Sequence, residues 1–109
     1  MSDSLLPWKT LSATVNVGTL TEDWSLADYA GNDPDSARSF VVNVPLSASF
    51  ASAPVVQAGL TGFDIDKWHS ARLSLNVTDI TPDGFKVVIH TWADTRVYSV
   101  AFAWLALGA

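Results

Sequence analysis

Trp92 and Tyr98 bracket a short polar segment, Ala93-Asp94-Thr95-Arg96, and stand symmetrically about Thr95. With β-forming runs on both sides, that spacing predicts a hairpin whose mouth brings the two rings face to face. Cross-strand neighbours lie about 5 Å apart, close enough to form one aromatic wall. Such a wall suits a ligand with an apolar face. Taken alone, the same pair more often caps the end of a sheet.

The remaining chemistry-bearing residues chiefly exclude functions. The chain has no cysteine, which removes disulfides, thiolate metal sites and a cysteine nucleophile. His69 and His90 gather no metal set, and Asp64 with Asp66 offers too few oxygens for calcium. Glycoside hydrolysis needs two opposed carboxylates, and no such pair stands out. No nucleophile with an adjacent base is visible either. Catalysis, metal and cofactor are therefore not expected. Arg72 and Asp35, read in isolation, are a solvated strand arginine and an ordinary loop acid.

Strands must position these residues, because nothing in the chain has a helical period. Lys9 to Leu20 alternates in part and reads as a strand ending near Gly18. A long irregular segment follows, Thr21 to Ser39, with dense turn chemistry over residues 30–36; a segment this long without structure of its own is more often functional than idle. Phe40 to Val44 alternates up to Pro45, which marks an end or an edge. Val55 to Phe63 is a strand, and residues 64–67 are a turn. Ala71 to Val77 points Leu73, Leu75 and Val77 inward and Arg72, Ser74 and Asn76 outward. Thr81-Pro82-Asp83-Gly84 is a hairpin turn, with proline for its fixed φ and glycine for a positive one. Phe85, Val87, Ile89 and Thr91 then alternate with Lys86, Val88, His90 and Trp92. Short strands joined by turns predict an all-β antiparallel β-sandwich, one domain over residues 1–109.

The final strand is apolar on both faces. Val97, Ala101, Ala103 and Leu105 face one way; Tyr98, Val100, Phe102, Trp104 and Ala106 face the other. A two-layer sandwich gives a strand one core face, so either a loop or a symmetric neighbour must cover the second, and the neighbour is the expectation. The apolar fraction of 49% agrees, being at the upper end of the usual range. Six lysines and arginines against eleven acids give a net charge of −5 and no basic stripe, which argues against nucleic acid as a partner. The N-terminus has neither the basic nor the apolar region of a signal peptide, and the longest apolar run is about half the length of a membrane helix. Cytoplasmic synthesis without membrane insertion is the expectation, with release, if any, by a route the sequence does not show.

Ala53-Pro54-Val55-Val56, Ile80-Thr81-Pro82-Asp83-Gly84-Phe85, and Thr91-Trp92 through Val97-Tyr98 to Ala103-Trp104-Leu105-Ala106 together resemble the H-type lectins. These are invertebrate agglutinins that recognise N-acetylgalactosamine, related to the carboxy-terminal domain of the discoidins. The resemblance runs from about Val15 to Leu107 and implies a six-stranded antiparallel β-sandwich that assembles as a trimer, or as trimers paired into a hexamer, with sugar held in a cleft between protomers. It places the family's sugar-contacting acid on Asp35, its arginine on Arg72, its tryptophan on Trp92 and its tyrosine on Tyr98. Two positions depart from the pattern. Ala93 stands where the snail agglutinins carry a histidine, and Asp33 stands where they carry a glycine.

Those residue types suit a galactose-like ring, whose hydroxyls take charge-assisted partners and whose C–H face packs on an aromatic ring. The expected partners are glycans ending in N-acetylgalactosamine or galactose. The alternative is a trimeric structural or adhesion module that has lost sugar binding; an enzyme using Asp35 or Asp94 as an acid is the weakest reading.

Overall fold

Phe85, Val87, Ile89 and Thr91 are all buried, while the residues between them are exposed or half-buried; Val100, Phe102, Trp104 and Ala106 repeat the pattern. Period-2 alternation of this kind gives each strand one face for the core and one for its surroundings. The computed structural model, which describes residues 8–29, 33 and 35–109, arranges six strands accordingly. They are β1 (Lys9–Gly18), β2 (Arg38–Pro45), β3 (Val55–Ile65), β4 (Ser74–Thr81), β5 (Gly84–Thr91) and β6 (Val97–Gly108). Two three-stranded sheets result, ordered β1-β6-β3 and β2-β5-β4, with every neighbouring pair antiparallel. Residues 30, 31, 32 and 34 of the expected turn lie outside the described residues.

The core lies between the sheets. Phe85 of β5 meets Trp104 of β6 edge-on, with ring centroids 5.2 Å apart and planes at 77°. Edge-to-face contact aims the positive ring edge at the negative face and adds about 0.5–1.5 kcal/mol to the area buried. Leu26 and Phe50 enter this core from the loops. Each such fully buried side chain stabilises the fold by roughly 1.5–3 kcal/mol.

Four expectations need correction. The segment Ala93 to Arg96 is not a hairpin tip: β5 and β6 belong to different sheets, so it is a crossover between layers. A polar link between two β-runs serves either purpose, and the partners decide. β6 pairs with β1 and β3 on its two sides, which leaves no edge for β5.

Gly84 does not take a positive φ. It sits directly opposite Pro45 of β2, and a Cβ there would lie 2.7 Å from the Val44 carbonyl oxygen, so close approach is what selects glycine. The positive φ near this turn belongs instead to Asp79 (53°), at an irregularity in the β4–β5 register.

Val97 does not share the outer face of β6. The register shifts between Asp64 and Ile65, an irregularity that breaks the alternation and leaves Val97 fully buried. Beyond it, Ala101 and Ala103 are half-buried and Leu105 and Leu107 are 40% exposed, so the outer face of this strand is apolar as expected. The turn expected at residues 64–67 also begins later, since β3 continues through Ile65.

Candidate functional site

The crossover from β5 to β6 is held by two buried threonines. Thr91 and Thr95 are both 0% exposed, and a buried hydroxyl without a partner is costly. Thr91 donates to the Arg72 carbonyl at 2.5 Å and Thr95 to the Ser70 carbonyl at 2.6 Å. Segment 70–73, which leads into β4, is thereby fastened to the crossover. Ala93 bends the chain between the threonines with a φ of 57°, in the left-handed region.

Arg72 lies two residues before β4, not on an outward strand face, and its side chain is only 32% exposed. Its Nη1 donates to Asp94 Oδ1 at 2.7 Å. The second Asp94 oxygen lies 4.0 Å from His69 Nε2, and His69 Nδ1 lies 3.0 Å from Asp66 Oδ2. Arg72, Asp94, His69 and Asp66 thus form a chain of alternating charge potential along one rim. Trp92 is 39% exposed and stacks on His90, with centroids 5.5 Å apart and planes at 23°.

Arg38 fixes the long loop to this crossover. It is 6% exposed and donates to five carbonyls: Ser36, Leu26, Asp28, Ala93 and Thr95. Burial pulls its pKa below the ordinary guanidinium value. Tyr29 adds a second tie, its hydroxyl donating to the Asp94 carbonyl at 3.2 Å. The Tyr29 ring lies 5.5 Å from the Arg38 guanidinium carbon and 4.6 Å from that of Arg96. Hydrogen bonding to Tyr29, with its charge, raises the Arg96 pKa.

The predicted site residues therefore fall into three places. Arg72, Trp92 and Ala93 meet at the crossover. Asp33 and Asp35 are exposed on their own turn, where Asp33 Oδ1 accepts the Asp35 N–H at 2.9 Å; among the described residues no hydrogen bond or ion pair joins either carboxylate to Arg72. Tyr98 belongs to the opposite sheet and makes no ring contact with Trp92 among the described residues, so the expected aromatic wall across a hairpin mouth is not formed.

Asp94, Arg38, Tyr29 and Arg96 were not among the predicted binding residues. Arg38 carried one signal: it is in phase with Phe40, Val42 and Val44, and a charged residue in the inward phase of a strand implies buried partners. The partners of Asp94 are remote in sequence and left none.

The assembly offers paired charged donors and acceptors beside exposed aromatic rings, a surface for hydroxyl-bearing ligands. Comparison with known proteins agrees with its character. The sequence matches the family model described as the H-type lectin domain over residues 41–107. It is 36% identical over 81 residues to the "ATP synthase subunits region ORF 7" protein of Fuscovulum blasticum, covering 74% of this chain and 68% of that one. It is 29% identical over 104 residues to Discoidin-2 of Dictyostelium discoideum, covering 94% of this chain and 39% of the discoidin. The solved structure of recombinant discoidin II from the same organism superposes with a TM-score of 0.77 at 24% identity, over 93% of this chain and 37% of that one. The chain thus spans little more than a third of the discoidins it matches.

Proposed function

The chain belongs to the H-type lectin domain family, and on that basis we propose that it is a carbohydrate-binding module for terminal N-acetylgalactosamine or galactose-type sugars. The observation that carries the reading is the crossover, where Arg72 is held in place by Asp94 and Trp92 is 39% exposed. A guanidinium fixed in this way donates to vicinal hydroxyls without first losing its rotamer freedom. Asp35 is an exposed acceptor on a turn that makes no described contact with Arg72.

The separation of Asp35 from Arg72 supports a cleft completed by a second protomer. So does the outer face of the β1-β6-β3 sheet. There Ala103, Leu105 and Leu107 line up beside Gly59, which has open space around it, and Val55, which is 64% exposed. A trimer, or a pair of trimers, covers that face. Several weak sites on one rigid body then gain about 10²- to 10⁴-fold in avidity on a surface rich in sugars.

One observation favours the second reading, a trimeric structural or adhesion module without sugar binding. The Arg72 charge is already matched by Asp94, and Ala93 contributes no hydrogen-bonding side chain. A glycan array on the purified protein decides between them. Binding concentrated on glycans ending in N-acetylgalactosamine or galactose supports the lectin; an array without binding to any glycan sinks it.

A further inference from the structure

A concavity of about 530 Å³ opens beside Tyr98, lined also by Asp64, Asp66, Lys67, Trp68 and Arg96. That volume lies within the ~300–1,000 Å³ typical of small-molecule sites. Its most exposed aromatic is Trp68, at 77%. An indole on a surface loop is ordinarily a cost in solubility, yet this one is held in place. The backbone N–H of Trp68 donates to Asp66 Oδ1 at 2.8 Å, the backbone N–H of Asp66 donates to the Arg96 carbonyl at 2.9 Å, and the Lys67 ammonium rests 4.8 Å from the indole centroid. The loop is thus tied back to the start of β6, with the ring presented outward.

The chemistry of the lining selects a ligand class. Two carboxylates and two cations balance, so no net charge is offered to an anion or a cation. Each can still make charge-assisted hydrogen bonds to neutral hydroxyls, and a flat indole suits the C–H face of a pyranose. A chain of polar side chains links the concavity to Arg72. Asp66 leads through His69 to Asp94 and so to Arg72, by the distances of 3.0, 4.0 and 2.7 Å given above, and Tyr98 lines the concavity directly.

We propose that this concavity is a second carbohydrate subsite, which takes the sugar ring next to the terminal one with its C–H face on Trp68. The inference rests on the lectin reading, and the two fail differently. Wild-type protein and Trp68→Ala are titrated with N-acetylgalactosamine and with a disaccharide carrying that sugar at its non-reducing end. The disaccharide should bind wild-type protein more tightly than the monosaccharide. Trp68→Ala should lose about two- to twelvefold in affinity for the disaccharide and none for the monosaccharide, and Trp68→Phe should regain part of the loss. An unchanged melting temperature confirms that the variants fold. Equal affinity of wild-type protein for the two sugars overturns the subsite, as does a Trp68→Ala effect that is the same on both. Absence of binding to either sugar overturns the lectin reading, and the subsite with it.

Discussion

Arg72 and Asp94 meet at 2.7 Å across 22 residues of sequence, and their pairing joins the segment before β4 to the crossover between the sheets. The side chains are 32% and 42% exposed, so water screens the pair and its share in stability is about 0–1 kcal/mol. Its consequence is orientation: the guanidinium is held where the crossover turns.

Arg72→Ala should weaken sugar binding by roughly tenfold to a hundredfold, the loss of a charge-assisted hydrogen bond worth about 1.5–3 kcal/mol. Asp35→Ala should do the same from the other side of the proposed cleft. Asp94→Ala should cost less, about tenfold at most, because Arg72 remains but is no longer held. All three should keep their fold and assembly. Calorimetric titration checks the order; tighter binding by Asp94→Ala would show that the carboxylate competes with the sugar.

Arg38→Ala should destabilise the protein by on the order of 3 kcal/mol, since five carbonyls lose a charged donor at once. For a domain of this size that is a fall in Tm of about 10–20 °C. Arg38→Lys should recover little of it, because an ammonium lacks the planar fork that reaches several acceptors. Thermal unfolding of the two variants tests this, and a Lys variant as stable as wild type would refute the role of the fork.

Ala93→His should restore part of the preference for N-acetylgalactosamine over galactose. Histidine is among the side chains enriched in the left-handed region, so the φ of 57° at this position admits it. A neutral hydrogen bond is worth about 0.5–1.5 kcal/mol, roughly a factor of two to twelve in selectivity. Titrating both sugars against both proteins measures it, and identical selectivity would place residue 93 out of reach of the ligand.

Ala103→Arg should dissociate the proposed oligomer and leave a folded monomer. Ala103 is on the outer face of β6 opposite Gly59, so a charge there meets no core. Light scattering together with circular dichroism separates dissociation from unfolding. A wild-type protein already monomeric at micromolar concentration would remove the premise.

The loop that presents Trp68 should loosen in acid. The backbone N–H of Trp68, and then His69, hold the Asp66 carboxyl below the ordinary aspartate range. A folded pKa lower than the unfolded one contributes stability that is complete above about pH 4 and is lost as the pH falls through the folded value. Protection of the Trp68 amide, relative to its intrinsic exchange rate, should therefore fall at the acid end, and Asp66→Asn should flatten that dependence. A Trp68 amide equally protected across the range would contradict it.

The strands were legible because their signal is local. Alternation in Phe85 to Thr91 sets a core face whatever lies opposite, and Pro45 and the residues 81–84 mark their ends by backbone chemistry of their own. The outer apolar face of β6 followed from the same period, whereas Arg38 lay in the segment read as irregular, although it is in phase with Phe40. What the tertiary structure alone decided depends on partners far along the chain. The link 93–96 has the composition of a hairpin tip and becomes a crossover because β1 and β3 occupy both sides of β6. Glycine at position 84 answers to the Val44 carbonyl of β2 rather than to its own dihedral. Arg72 reads as a solvated arginine until Asp94 and the Thr91 hydroxyl are brought to it. Periodicity records which face a residue turns to the core; it carries no record of which remote group waits there.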